Sequence, residues 1–228
     1  MFSVSVVCHN FPLISNSFLL LQCLQFQKVE NNLHQLVYSK NVIEFVAVAN
    51  EFCFIIEGAG KTPIQNSLQM LQKMLPLLYL KAALLPATEI ILDEELEKYV
   101  TEFDYNTYSQ RLLQALGEND IFYEVFDPSI QFGQETVTAS ISENLMDIYQ
   151  PVKNFVLSYS MGNDDVMNDA LYECRFSFEE YWGQNLVNVL RAIHRLVYSN
   201  TDFNEPDSDE VKPGKGNPKW LDNFWGTT

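Results

Sequence analysis

From Ser39 onward apolar side chains return every three or four residues: Val42, Phe45, Val46, Ala49, Phe52, Cys53 and Ile56. That period gathers them on one face of an α-helix, with Lys40, Glu44 and Glu51 turned the other way. Gly58 stands where a glycine closes a helix. Thr62-Pro63 reads as a hydroxyl cap followed by proline at the first helical position. The helix that follows turns Ile64, Leu68, Leu71, Leu75 and Leu78 inward. Pro76 is expected to kink or restart it, and it ends before Pro86.

Residues 93–98, DEELEK, suggest a short acidic helix. Thr101 caps another, with Tyr105, Tyr108, Leu112, Leu113 and Leu116 inward and Gly117 as its stop. Residues 118–139 are irregular, with extended pieces at Val125-Phe126 and Thr136-Val137 between the turn signals Asp127-Pro128 and Gly133. Ser140 and Glu143 have capping-box spacing. They open a helix with Leu145, Ile148, Tyr149, Val152, Phe155, Val156 and Tyr159 on one stripe, bent at Pro151. Gly162 to Asp164 closes that helix and caps the next. The last spans about 165–199, unusually long, and Gly183 is expected to break it in two. No alternating pattern of comparable strength exists. The pattern predicts an all-α protein, an antiparallel bundle of five or six helices with an irregular loop region at 118–139.

Composition adds a charge to this picture. Thirty acidic residues against fourteen basic ones give a net charge of −16 over 228 residues. Such a surface repels nucleic acid and anionic membranes and favours a partner that is basic or presents an apolar groove. No apolar run is long enough to span a bilayer. The cysteines lack CxxC spacing, and Cys53 and Cys174 fall on apolar faces, which points to a reducing, cytoplasmic setting. Residues 1–28 contain no Asp or Glu and only Lys28 as a base. Three readings compete for this apolar leader: an upstream segment preceding a true start at Val29, an atypical export signal, or a structural arm. No positive region precedes the apolar segment, which speaks against an export signal, and the first reading is favoured because Val29 fits an alternative start codon read as valine. The domain is then 29–200.

GAGKT at 58–62 resembles a phosphate loop only superficially. Ile55 occupies the place of the first glycine, a helix precedes the stretch, and Pro63 removes a backbone donor. His9, His34 and His194 have no glutamate three residues before them, so the di-iron pattern of helical bundles is absent. HExxH, GxSxG and a Cys/His zinc cluster are missing too. The sequence assigns no catalytic residue, metal or cofactor. On the last helix, Glu179 projects onto the apolar stripe and His194 onto its border. They lie fifteen residues apart, about 22 Å along a helix, so each needs a partner elsewhere, with Asn50 and Lys81 as candidates. Either these are satisfied structural groups or Glu179 is a carboxylate of raised pKa in a cleft. Arg191 and Arg195 form a small anion-binding candidate, with Glu173 and Glu180 on the same side as ion-pair partners.

Composition shifts abruptly after Asn200. Residues 201–228 begin as a linker rich in proline, glycine and charge and end in WLDNFW. Trp220, Phe224 and Trp225 would share one side of a helical turn, an anchor for an apolar groove on this bundle or on another protein. Plain disorder is the third reading.

Four stretches carry a family resemblance: YSKNVIEFVAVANEFC (38–53), LQKMLPLLYLKAALLP (71–86), SISENLMDIYQPVKNFV (140–156) and ECRFSFEEYWGQNLVNVLRAIHRLVY (173–198). In this order they resemble the bacterial family catalogued as domain of unknown function 5063, over about residues 29–200. The resemblance implies an all-helical cytoplasmic protein beginning near VENNLHQLVYSK. It also implies a functional link to a 3′–5′ exonuclease, and it supplies no catalytic residues. The leading functional expectation is a non-catalytic protein-interaction module or regulator. The alternatives are an acidic inhibitor or accessory factor of a nucleic-acid-processing protein, and an enzyme using Glu179 or His194 in an inter-helix pocket.

Overall fold

The computed structural model describes residues 32–123 and 138–199. The leader 1–28, the extended pieces at 125–126 and 136–137, and the tail with Trp220, Phe224 and Trp225 lie outside the described residues. After a short helical run at 32–37, α1 spans Lys40–Gly58 and buries Val42, Phe45, Ala49, Phe52, Cys53, Ile55 and Ile56. Gly58 is still helical. The left-handed position falls two residues later, at Gly60, where φ is 77°. Helix α2, Ile64–Ala83, starts directly after Pro63, and no side chain caps it, so Thr62 does not serve as the expected cap. It runs through Pro76 without restarting. Pro76 is exposed.

Between α2 and the next helix the chain runs as an extended strap over 84–100. The acidic helix expected at 93–98 does not form. Its residues have no apolar stripe, and distant side chains hold the backbone of the strap instead. Asn168 Nδ2 donates to the Glu89 carbonyl at 2.7 Å. Asp169 accepts the Ile91 and Leu92 N–H groups at 2.9 and 2.8 Å. Asn154 Oδ1 accepts those of Tyr99 and Val100 at 2.9 and 3.0 Å. Thr101 then caps α3, Glu102–Leu116, in a complete capping box with Asp104. Leu112 and Leu116 are buried, whereas Leu113, expected inward, is exposed.

A 3₁₀ turn at Gly117–Asp120 leads into β1, Ile121–Tyr123, which pairs antiparallel with β2, Thr138–Ser140. This ribbon feeds α4, Ile141–Ser160. Ser140 caps α4 through the Glu143 N–H. The buried Asp120 takes the Ser142 N–H at 2.8 Å and the Ser140 hydroxyl at 2.6 Å. Helix α4 continues through Pro151. Asn163 caps α5, Asp164–Ser177. A five-residue π turn, Phe178–Trp182, joins α5 without a break to α6, Gly183–Tyr198.

Gly183 therefore does not break the long helix as expected; it permits the π turn. A Cβ there would lie 2.6 Å from the Phe178 carbonyl oxygen and 2.9 Å from its ring. The wider turn sets Phe178 edge-on to Trp182 at 4.7 Å and to Tyr79 at 5.1 Å. The buried indole N–H of Trp182 donates to the Cys174 carbonyl.

Helix α4 is central, packing against α1, α3, α5 and α6, while α2 packs against α1 and α6. The ring α1–α2–α6–α4 closes around Phe45, Phe52, Leu71, Leu75, Leu145, Ile148, Trp182 and Leu186. Among the described residues the fold is thus all-α apart from one two-stranded ribbon, and no helix is long and apolar enough to cross a membrane.

Candidate functional site

Two clefts flank α4, and its helical period decides which residue faces which. Asp147, Gln150, Pro151, Asn154 and Ser158, spaced by three or four, line a cleft of about 470 Å³. Tyr149, Lys153 and Leu157 line a second of about 280 Å³. The end of the strap crosses α4 between them, with 96–98 on the first cleft and 99–100 on the second. Asn154 anchors that crossing.

The first cleft is closed on its far side by α5 and the π turn. Its apolar walls include Leu96, Phe155, Tyr172 and Phe176. Tyr172 and Phe176 stack nearly parallel at 6.1 Å. Its charged residues are Glu97, Asp147, Glu173 and Lys98, and Lys98 is paired with Glu173. Asp147 is the polar centre. Its carboxylate accepts the Tyr105 hydroxyl at 2.9 Å, the Tyr181 hydroxyl at 2.5 Å and the Asn185 amide at 3.5 Å. Burial, with the Asp147 carboxylate adding to it, pushes the Tyr105 phenol well above its ordinary range. Pro151 has no N–H to return, so the Asp147 carbonyl loses the donor that position 151 supplies in an ordinary helix.

The second cleft is built on an ion pair. Lys153 Nζ lies 2.6 Å from Glu57 Oε1, which also accepts the Tyr149 hydroxyl at 2.9 Å. Burial would lower the Lys153 pKa, but the hydrogen bond and charge of Glu57 outweigh it and leave it raised. Tyr149 is pushed up by burial and then by Glu57. Behind this pair, burial raises the Cys53 thiol to about 12, and it lifts that of Cys174, which lines the first cleft, further still. Both stay protonated near neutrality and serve as small apolar groups, as their place in the pattern suggested.

The three ligand-binding candidates read from the sequence stand apart. Glu179 is exposed rather than on the apolar stripe and pairs with Arg175 at 2.8 Å. The projection assumed a uniform α-helix, and the π turn that contains Glu179 changes the rotation per residue there. His194 is exposed on α6, 3.3 Å from Gln72 and tilted against Tyr198. Arg191, also exposed, donates to the Tyr123 carbonyl and so ties the ribbon to α6. Glu179, Arg191 and His194 line neither cleft. The proposed partners are engaged elsewhere: Lys81 with Glu44 at 2.7 Å, and Asn50 with the Val46 carbonyl. Glu173 pairs across to the strap, not along its own helix with Arg191. No group of three metal-ligating side chains occurs among the described residues.

The family described as Domain of unknown function (DUF5063) matches residues 36–199. The chain belongs to the DUF5063 family. The crystal structure of protein BF1032 from Bacteroides fragilis is 41% identical in sequence and superimposes with a TM-score of 0.65. The similarity covers 73% of this chain and 98% of that one. No curated protein matches the chain. Both clefts, the strap and the π turn fall inside the DUF5063 match.

Sequence reasoning missed Asp147, Asn154 and Asp169. A signal for one of them existed. Asp169 sits among Met167, Ala170 and Leu171, all buried, so an acid appears in the phase of a core face. Asp147 lies between the buried Met146 and Ile148, but nothing in the sequence announces that tyrosines from α3 and the π turn would converge on it.

Proposed function

We propose that this domain is a non-catalytic protein-interaction module, and that the larger cleft beside α4 receives a basic, partly apolar segment of another protein. The observation that carries this reading is the wall around Asp147. It offers a carboxylate and a carbonyl without its helical donor, beside the flat aromatic pair Tyr172 and Phe176. An arginine or lysine fits such a wall by charge-assisted hydrogen bonding and by stacking on aromatic faces, and the net charge of −16 draws basic segments toward it. The ionisable groups nearby are already committed: Glu173 to Lys98, Glu57 to Lys153, and both buried thiols to their protonated form. That supports recognition over proton transfer or nucleophilic attack. The charge also favours a narrower version, in which the partner is a nucleic-acid-processing protein whose basic groove is occupied.

The test is a panel of short peptides alternating arginine with leucine or tyrosine, against glutamate-containing controls, followed by fluorescence anisotropy. Binding of the basic set is expected, weakening with salt and at least about tenfold weaker in Asp147→Asn, a loss matching one charged hydrogen bond. Equal binding of both sets, or no effect of Asp147→Asn, would overturn the assignment of the cleft. A titration that is steep in salt and follows net peptide charge alone would favour the groove-occupying version.

A further inference from the structure

Helix α2 is apolar on two opposite faces. One face builds the core through Leu68, Leu71, Leu75 and Leu78. The other carries Met70, Leu77, Leu80 and Leu84 into solvent, 45%, 39%, 52% and 46% exposed. With Lys73 these positions step by three and four residues, the spacing of a seam that receives another helix. The stripe also has an unusual charge. Helices α2 and α6 pack together, and of the six α-helices described they are the two without an acidic residue. They contribute Lys73, Arg191 and Arg195, besides Lys81 in its pair with Glu44, to a protein of net charge −16.

We infer that the segment WLDNFW, residues 220–225, docks in cis on this outer stripe of α2. Its three aromatic residues match the stripe in chemistry. Residues 200–228 carry six acidic residues against three lysines, so the acid-free pair α2 and α6 is the part of the surface that attracts them. The exit point fits as well. Tyr79 packs on Phe178, and Gln72 meets His194, so α6 runs antiparallel to α2 and ends beside the first half of α2. From that level to Leu80 is about 18 Å along the helix. The twenty residues 200–219 precede Trp220, and a chain of that length can reach well beyond that distance, up to about 66 Å when fully extended. The tether therefore holds the aromatic segment near the stripe at high effective concentration.

The full chain labelled with 5-fluorotryptophan tests this. The protein has three tryptophans, and Trp220→Phe and Trp225→Phe assign two of the fluorine signals, leaving Trp182 as a reporter of the core. Both tail signals are expected to be shielded from solvent, independent of protein concentration. The double variant Leu77→Glu with Leu80→Glu changes exposed positions and should expose both tail signals while leaving Trp182 unmoved. Solvent-exposed tail signals in the unmodified chain would overturn the docking. Shielding that survives the double variant would place the segment elsewhere, and shielding that grows with concentration would assign the stripe to a second copy; either result overturns docking in cis on α2.

Discussion

The turn between α1 and α2 and the strap between α2 and α3 both connect neighbouring helices, by opposite means. The turn is closed by its own chain: the Ala59 N–H returns to the Ile56 carbonyl, the Lys61 N–H to that of Gly58, and Gly60 adopts the left-handed geometry. The strap has no comparable local closure. Asp169, Asn168 and Asn154, more than fifty residues away, take over its backbone groups. Extended connections of this length are uncommon inside a compact domain unless they have a task. Here the strap divides the surface of α4 into two clefts. One connection depends on neighbours in sequence, the other on neighbours in space.

The largest effect is expected from Asp169→Ala. It removes the acceptor of two backbone N–H groups and should cost about 3 kcal/mol, read as a lower urea midpoint at unchanged m-value. Amide exchange at Ile91 and Leu92 should quicken selectively. Unchanged protection there would mean that the strap is held by something other than this carboxylate. Gly60→Ala should cost about 2 kcal/mol, since it forces a side chain into the left-handed region, where its Cβ would approach that of Arg111 at 3.2 Å. A penalty larger than that of Asp169→Ala would reverse the ranking of distant over local control. Asn154→Ala should cost about 1.5 kcal/mol and loosen the crossing at Tyr99 and Val100. Exchange at those two amides, with Ile91 and Leu92 unaffected, would show that the two tethers act independently.

The smallest effect concerns the end of the strap, where the Thr101 side chain and then its backbone N–H hydrogen-bond to Asp104 and lower the Asp104 pKa. A lowered pKa means that the unfolded chain binds the proton more readily. The stabilisation is therefore complete above pH 3.8, the ordinary value, and fades as pH falls through the lower folded value. Thermal melts in acid should show this step in the native sequence and not in Asp104→Asn. Identical acid profiles would remove the capping box from the account of where the strap ends.

The same contrast explains what the sequence disclosed. Helices α1, α3 and α4 are written in apolar period, and Thr101, Ser140 and the region around Asn163 are used much as their residue types suggest. Pro76 does not restart α2, whereas α4 keeps its stripe through Pro151 as expected. The strap was illegible because its partners are single polar residues on other helices, and DEELEK has good helix formers without a face to bury. The candidate site was illegible for a related reason. Asp147 gains its meaning from Tyr105 on α3 and Tyr181 in the π turn, a convergence that exists only after folding. Glu179 was misplaced by assuming constant rotation across a turn that is wider than an α-turn.

The π turn behaves as a one-residue insertion stored inside a helix. Everything after it, from Leu186 to Tyr198, is clocked against the residues before it by that single step. Straightening 178–182 into a plain α-helix with every residue kept would swing the later half by about 100°. Leu186 and Ile193, now fully buried, would rotate off the core, and Arg191 would leave the ribbon it holds. Gly183, the residue that looks most dispensable, is what keeps the two halves in phase.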